Sequence, residues 1–388
     1  MGHTPAWRYC NYQVVTMRAM VKYLMMICAL VVIIGCEDNS VDIPNSEIEV
    51  DVDTPEYGYI YFDNQTSRGS LIETEKDGEG NIIDDRFKYE FGVIGYTYIA
   101  NDWSYAEVMT QPNVFANHPQ RVTWNGSTHD YTPMQAWVGK QSYAFFAFYP
   151  YNLTVSGKNQ TGNPYIDYTF NRSNLSQHLD VMTDDEIHID YSARSVGFRM
   201  QHRLSAIDLR ANNIYDGVEI RITEMSISFN NLLYDKVHIP LNTRDKLKYN
   251  YYAGMAANTT ATYELLSSGK TLSVPADGYD VPLTSIKGIN EGTTMIVIPQ
   301  DQYIDTNGDG TEENFTMNGV VTVAYDTYVN GTKTGSIAAK GYEFSMDRSL
   351  IAGQHYYIML NFAEGDVTIA IIESEKWEEL PDITHEFE

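Results

Sequence analysis

The run Asp305-Thr306-Asn307-Gly308-Asp309-Gly310 is the sharpest candidate for chemistry in this chain. Ca²⁺ is a hard cation that takes several oxygen ligands around a tight turn. Asp, Asn and Asp at alternate positions, followed by Gly, resemble the start of such a loop. The twelfth position, where that pattern has a bidentate Glu, is Thr316, with Glu312 and Glu313 as the nearest substitutes. A polar hairpin between strands at 295–298 and 315–325, turned by Asn-Gly and Asp-Gly, accounts for the same residues. Asp305, Asn307 and Asp309 therefore stand as a calcium-loop candidate beside a plain turn. The nine histidines are scattered, with no His-x-x-x-His pair, which argues against a catalytic zinc. His188, among Asp184, Asp185, Glu186 and Asp190, is a second cation candidate, set against a solvated acidic linker. Gly269-Lys270-Thr271 looks like the tail of a phosphate loop, but position 264 is Glu where that loop needs Gly. No cysteine follows Cys36, so the downstream chain has no thiol nucleophile. The 52 acids single out no general acid and base. No catalytic residue and no cofactor is expected.

Cys36 itself carries the clearest signal. It ends Val31-Val32-Ile33-Ile34-Gly35-Cys36, after the basic residues Arg18 and Lys22 and an apolar run at 23–34. A basic segment, a short apolar segment and a small residue before the cut describe a secretory signal, and the run is too short to span a bilayer. Ile33-Ile34-Gly35-Cys36 resembles a bacterial lipobox, in which the cysteine takes a diacylglycerol thioether and its freed amino group is acylated. Residues 1–35 are read as a signal peptide, with Met17 or Met20 a more usual start than Met1. Residues 36–56 are read as a lipidated acidic tether, and several acyl chains anchor a protein stably where one does not. Glu37-Asp38 directly after the lipid site resembles the acidic signal that routes some anaerobe lipoproteins to the outer face of the outer membrane.

Behind the anchor stands a body of about 350 residues, two domains' worth at ~150 residues each. The formal charge is −26, and residues 1–35 contribute only Arg8, Arg18 and Lys22 to it, so the body is more acidic still. Phosphates would be repelled, which argues against nucleic acid as partner. The same charge argues against lying flat on an anionic membrane. Without a disulfide, the body must be held by its cores.

The elements that would position any site are strands. Thirty tyrosines and 13% aromatic residues suit a pleated, half-buried surface. The spacing predicts strands at 57–62 and 87–99, with Gly92 and Gly95 as bulge or bend sites. Ser142-Tyr-Ala-Phe-Phe-Ala-Phe-Tyr149 is apolar throughout and predicts a strand buried on both faces, or on one face with a loop over the other. Farther on, apolar residues alternate cleanly: Ile207 with Leu209, Val321 with Val323 and Tyr325, Tyr356 with Ile358, Leu360 and Phe362. A phase slip between Ile222 and Met225 predicts a bulge. Ala363-Glu364-Gly365-Asp366 predicts a hairpin turn into a last strand at 367–372. Residues 64–86 read as a long exposed loop. An acidic stretch around 184–194 suggests a division into 57–191 and 192–388.

Several phrases, in this order, resemble the fimbrillin family of type V pilus subunits and related surface lipoproteins. They are Phe91-Gly-Val-Ile-Gly-Tyr-Thr-Tyr98 with Trp103, Gln120-Arg-Val-Thr-Trp-Asn-Gly126, Tyr131-Thr-Pro133 with Trp137, and Tyr143-Ala-Phe-Phe-Ala-Phe-Tyr-Pro-Tyr151. Leu179-Asp-Val-Met182, Val196-Gly-Phe-Arg-Met-Gln-His202, Ile298-Pro-Gln300, Ala352-Gly-Gln-His-Tyr-Tyr357 and Trp377 continue the set. The resemblance implies an all-β fold of two transthyretin-like β-sandwich domains in tandem, and a structural or adhesive role without catalysis. It also implies that an arginine-specific protease removes an N-terminal strand and that a strand from the next fimbrial subunit fills the groove. Arg68 and Arg86, at the two ends of the polar loop, are the candidate cleavage sites. Short polar residues and Gly around Arg68 favour an extended backbone open to a protease. The strand at 367–372 would make a better donor than the acidic tail, but it is also needed at home. Two further readings stay open: a tethered protein that binds a host or glycan ligand without polymerising, and a glycosidase.

Overall fold

Seven strands close into a barrel in the order Tyr61–Thr66, Ser195–His202, Met182–Ile189, Ser142–Tyr149, Phe91–Tyr98, Gln120–Trp124 and His129–Asp130. The computed structural model describes residues 55–66, 75–76, 82–84, 87–98, 112–139, 141–156, 164–193, 195–232, 236–241, 250–251, 259–266, 268–284, 294–300, 303–304, 313–314, 316–346 and 349–373. Among them the only helical pieces are two single turns, Leu175–Gln177 and Tyr191–Ala193; the rest is strand and loop. The fold is all-β.

The two apolar strands of the barrel bury both faces. Val93, Tyr143, Phe145 and Ala147 join Phe62, Phe91, Val122, Met182, Val196, Phe198 and Met200 in one core. Alternate residues Ile94, Tyr96, Tyr98, Ala144, Phe146 and Phe148 enter a second, larger core. A pleated strand points successive side chains to opposite faces, so a sequence without polar interruptions is what two cores require.

Gly92 and Gly95 do not mark bulges. The ladder between Phe91–Tyr98 and Ser142–Tyr149 runs unbroken from Gly92 to Tyr98. A Cβ at Gly92 would lie 2.4 Å from the Phe148 ring, and one at Gly95 would lie 2.8 Å from Val114. These glycines exist for close approach.

Two five-stranded sheets build most of the second half, and a four-stranded one, in the order Asn250–Tyr251, Lys236–Pro240, Tyr165–Thr169, Val155–Ser156, joins it to the first. One five-stranded sheet has the order Val281–Pro282, Ser205–Asn213, His355–Ala363, Asp366–Glu373, with Met295–Val297 also on Ser205–Asn213. The other runs Thr259–Glu264, Glu219–Leu232, Met317–Val329, Thr332–Met346, with Leu272–Val274 on Glu219–Leu232. Ile207, Leu209, Ile358, Leu360 and Phe362 of the first share one core with Ile220, Ile222, Met225, Ile227, Val321 and Val323 of the second. The register slips between Ile222 and Glu224, which keeps both phases of that strand on the core. Ala363 pairs with Asp366 around Glu364-Gly365, and Gly365 takes a positive φ of 79°, which the tight turn needs. Residues Thr54–Glu388 cluster as one compact unit.

Three expectations need correction. The strands at 295 and 317 are not partners: Met295–Val297 pairs with Ser205–Ile207, while Met317–Val329 lies between Glu219–Leu232 and Thr332–Met346. The hairpin arms are instead Tyr303–Ile304 and Glu313–Asn314. Segment 64–86 is not wholly loop, since Tyr61–Thr66 reaches into its start and Glu75–Lys76 pairs with Ile82–Asp84. The acidic stretch 184–189 is not linker but barrel strand, paired with Ser142–Tyr149. Asp184 and Asp185 are 8% and 3% exposed, and a backbone donor, Arg199 N, stands 2.6 Å from the Asp184 carboxylate.

Candidate strand-exchange site

Tyr61–Thr66 differs from its neighbours in how it is held. It runs parallel to Ser195–His202, with Tyr61 opposite Ser195 and Thr66 opposite Met200. On its other side the antiparallel pairing is limited to Phe62 with His129. A parallel ladder is slightly weaker per residue and cannot be closed by a short turn. This strand thus reaches its place from a distant part of the chain.

The side chains behave as the alternation Ile60, Phe62 requires. Tyr61 is 51% exposed, whereas Ile60 and Phe62 are buried. The Phe62 ring stands 5.3 Å from Tyr131, 5.7 Å from Phe198, 5.9 Å from Phe145, 6.1 Å from Phe115 and 6.5 Å from Phe91. Edge-on and tilted ring pairs at such spacings add attraction beyond area burial. Burial of the ring itself is worth roughly 1.5–3 kcal/mol. Phe62 is therefore the plug of the barrel core, carried by a strand laddered on one side and paired at a single residue on the other.

The preceding residues are clamped from one side. Ile60 N donates to Gln135 O at 2.9 Å, Trp137 N donates to Gly58 O at 3.0 Å, and the Tyr131 hydroxyl donates to Ile60 O at 2.9 Å. Burial pushes that hydroxyl up to about 12, so it stays protonated as a donor. His129 is buried against the Phe91 and Trp124 rings, its Nε2 2.5 Å from Phe87 O. On the far side of Ser195–His202 the ladder to Met182–Ile189 covers Met182 and Thr183, after which the Asp184 carboxylate takes the Arg199 N–H. Burial pushes the Asp184 carboxyl up to about 7.

If Tyr61–Thr66 left, the backbone groups of Ser195–Met200 facing it and a ring-lined slot would be uncovered together. An open sheet edge beside an apolar slot takes an extended strand: the ladder supplies affinity and the slot selects the side chain.

Arg68, two positions past the end of this strand, and Arg86, one before buried Phe87, lie outside the described residues, as do Cys36, Asp305, Asn307 and Asp309. Among the described residues no group of three or more His, Cys, Asp or Glu is placed to hold a metal. His188 is not a cation ligand in an open linker: it sits at a bulge with a positive φ of 64°, its Nδ1 2.7 Å from the Tyr98 hydroxyl. The strand Asp366–Glu373 is paired along its whole length with His355–Ala363.

One buried constellation has no signal in the residue pattern. Asp208, expected to alternate outward, accepts hydrogen bonds from the Thr284 hydroxyl at 2.5 Å and the Thr294 hydroxyl at 2.8 Å, and lies 2.7 Å from His355 Nε2. Only the parallel pairing of Ser205–Asn213 with His355–Ala363 brings Asp208 to His355.

The Fimbrillin-like family model matches residues 90–377. A solved fimbrial protein from Bacteroides vulgatus superposes with a TM-score of 0.56 at 18% identity, covering 82% of this chain and 99% of that one. At that identity the likeness is one of fold. A candidate cell adhesion protein from Bacteroides ovatus aligns with a TM-score of 0.46 at 14% identity, over 84% of this chain and 100% of its own. No curated protein matches at a significant level. With a family model spanning most of its length and the barrel and paired sheets described above, the chain belongs to the fimbrillin-like family.

Proposed function

We propose that this chain is a surface fimbrial subunit or adhesin that assembles by strand exchange. It is exported as a lipoprotein, anchored in the outer membrane through Cys36, and cut after Arg68 or Arg86. Cutting frees Tyr61–Thr66 covalently from the barrel, and a donor strand from the next subunit takes its place beside Ser195–His202. The carrying observation is Phe62: a ring in contact range of five others, on a strand paired along one side and at one residue on the other. A replacement strand that presents an apolar side chain at that register restores the core, and the assembly is head-to-tail and open-ended. The solved relative named for fimbriae supports the same reading. The division into units at 57–191 and 192–388 belongs to this proposal, and Ser195–His202, beyond that boundary, pairs back into the barrel.

Amino-terminal sequencing of protein recovered from cells, with electron microscopy of the same material, tests the reading. A start at Gly69 or Phe87 in filament-forming material is the expected result. A start only at lipidated Cys36, in cells that make the protease, would overturn strand exchange. Separately, Cys36→Ser should release a folded protein from the membrane, since no disulfide depends on that cysteine.

A further inference from the structure

The barrel rim carries a group of side chains that strand exchange does not use. Tyr89 and Glu90 precede Phe91–Tyr98, Arg121 lies on Gln120–Trp124, and Tyr149 and Tyr151 end and follow Ser142–Tyr149. These three strands are neighbours in the barrel, and with both Arg121 and Phe148 opposite Gly92 the five residues lie at one end of them. Arg121 Nε donates to Glu90 Oε2 at 2.8 Å, and Nη2 donates to the same oxygen. Its guanidinium lies over the Tyr151 ring, 4.7 Å from the centroid. The Tyr89 and Tyr149 rings meet edge to face at 5.9 Å, both against Phe87. Burial pushes the Tyr149 hydroxyl up to about 12.

Stability does not require this arrangement. The Arg121 and Glu90 side chains are 53% and 40% exposed, and such a surface pair contributes at most ~1 kcal/mol. Tyr89 is 43% exposed, although an aromatic ring gains most when covered. What the group offers is a fixed fork beside ring faces. Glu90 Oε1 accepts from no described residue, and Arg121 keeps N–H groups beyond the two that Glu90 takes. A pyranose matches this chemistry: its C–H face packs on an aromatic ring, and its vicinal hydroxyls both accept from a guanidinium and donate to a carboxylate.

Size and charge narrow the class. A stable protein interface engages roughly 20–30 residues on each side, whereas five side chains at three strand ends cover one or two sugar rings. A chain of net charge −26 repels sulfated and sialylated sugars. We propose that Tyr89, Glu90, Arg121, Tyr149 and Tyr151 form a binding site for a neutral glycan. The site is independent of strand exchange and would operate in a monomer or in a filament.

The test applies the purified chain to an array of neutral oligosaccharides built from glucose, galactose, mannose and N-acetylhexosamines, with sulfated and sialylated counterparts alongside. The best neutral binder is then titrated calorimetrically. Saturable binding of neutral glycans, weaker for the anionic ones, is the expected result. Arg121→Lys keeps the charge and loses the fork. It and Tyr151→Ala should each weaken binding by about tenfold or more, a difference of ~1.4 kcal/mol, with circular dichroism and melting unchanged. Tyr279→Ala, at a remote residue 81% exposed, should bind as the unaltered protein does. Absence of binding to any neutral glycan overturns the proposal. So does binding that both folded rim variants retain, or a preference for the anionic sugars.

Discussion

In the barrel, rings fill the core and its closing strand is held along one side and at one residue on the other; in the facing sheets, the core is mostly aliphatic and its central strands, Ser205–Asn213 and Met317–Val329, are laddered on both sides. The barrel centre gathers Phe62, Phe91, Phe115, Phe145 and Phe198 with Tyr131 and Tyr143. The second half gathers Ile, Leu, Val and Met from two sheets and seals the outer face of one with Asp208, His355, Thr284 and Thr294. A plug of dispersion contacts can be exchanged for another apolar side chain of similar shape, because such attraction is not directional. A buried carboxylate with a fixed set of donors cannot, because each lost partner leaves a charge or dipole unsatisfied. The difference assigns adaptability to the first region and permanence to the second.

Phe62→Ala should break the barrel side of this contrast most strongly. It opens a cavity among the surrounding rings and should cost ~4 kcal/mol in urea unfolding. Phe62→Leu should recover much of that loss, since a slot that only asks for apolar volume tolerates a similar side chain. Failure of Leu to recover more than Ala does would mean that the slot is ring-specific and the plug not exchangeable.

Asp208→Ala should break the other side, by about 3 kcal/mol, because His355 and two threonine hydroxyls lose their acceptor. Unfolding followed by a barrel probe and by a second-half probe sharpens the comparison further. Separate units shift one transition with each variant, whereas a single cooperative unit shifts both together.

Gly92→Ala should cost about 2 kcal/mol through overpacking, since its new methyl meets the Phe148 ring at 2.4 Å. This position couples the regions: Phe148 belongs to the larger core while its strand lines the barrel. A neutral result in denaturant titration would mean that the two cores can slide apart freely.

The most gradual effect is a pH slope. The Asp184 carboxyl has an ordinary value of 3.8 and a folded value of about 7, because burial penalises its charged form. Between those values the folded state holds a proton that the unfolded chain has lost, so stability falls as pH rises through the window, by at most ~1.4 kcal/mol per pH unit. Asp184→Asn should flatten that slope between pH 5 and 7 and leave the variant the more stable at pH 8. An unchanged slope in melting experiments would place the titrating group elsewhere.

Strand positions were written into period-two alternation, because a pleat sends successive side chains to opposite faces and burial selects them. Ile60 with Phe62, the apolar run 142–149, the slip between Ile222 and Met225 and the turn at Glu364-Gly365 all follow from local chemistry. The excess of acids and the cysteine after Gly35 are equally properties of the sequence itself. Pairing across distance was not legible. Backbone donors and acceptors are the same at every residue, so nothing in Tyr61–Thr66 names Ser195–His202 as its parallel neighbour, and nothing in Asp208 names His355. The two glycines at 92 and 95 read as bends, and only with Phe148 and Val114 in place do they show as close approaches. Asp184 and Asp185 read as linker because acids belong in water, and only the closed barrel shows the Arg199 N–H that lets Asp184 stay buried. Composition and alternation thus determined that the fold is all-β. Tertiary structure alone decided which strand closes the barrel, because that choice lies in which cores can be filled together.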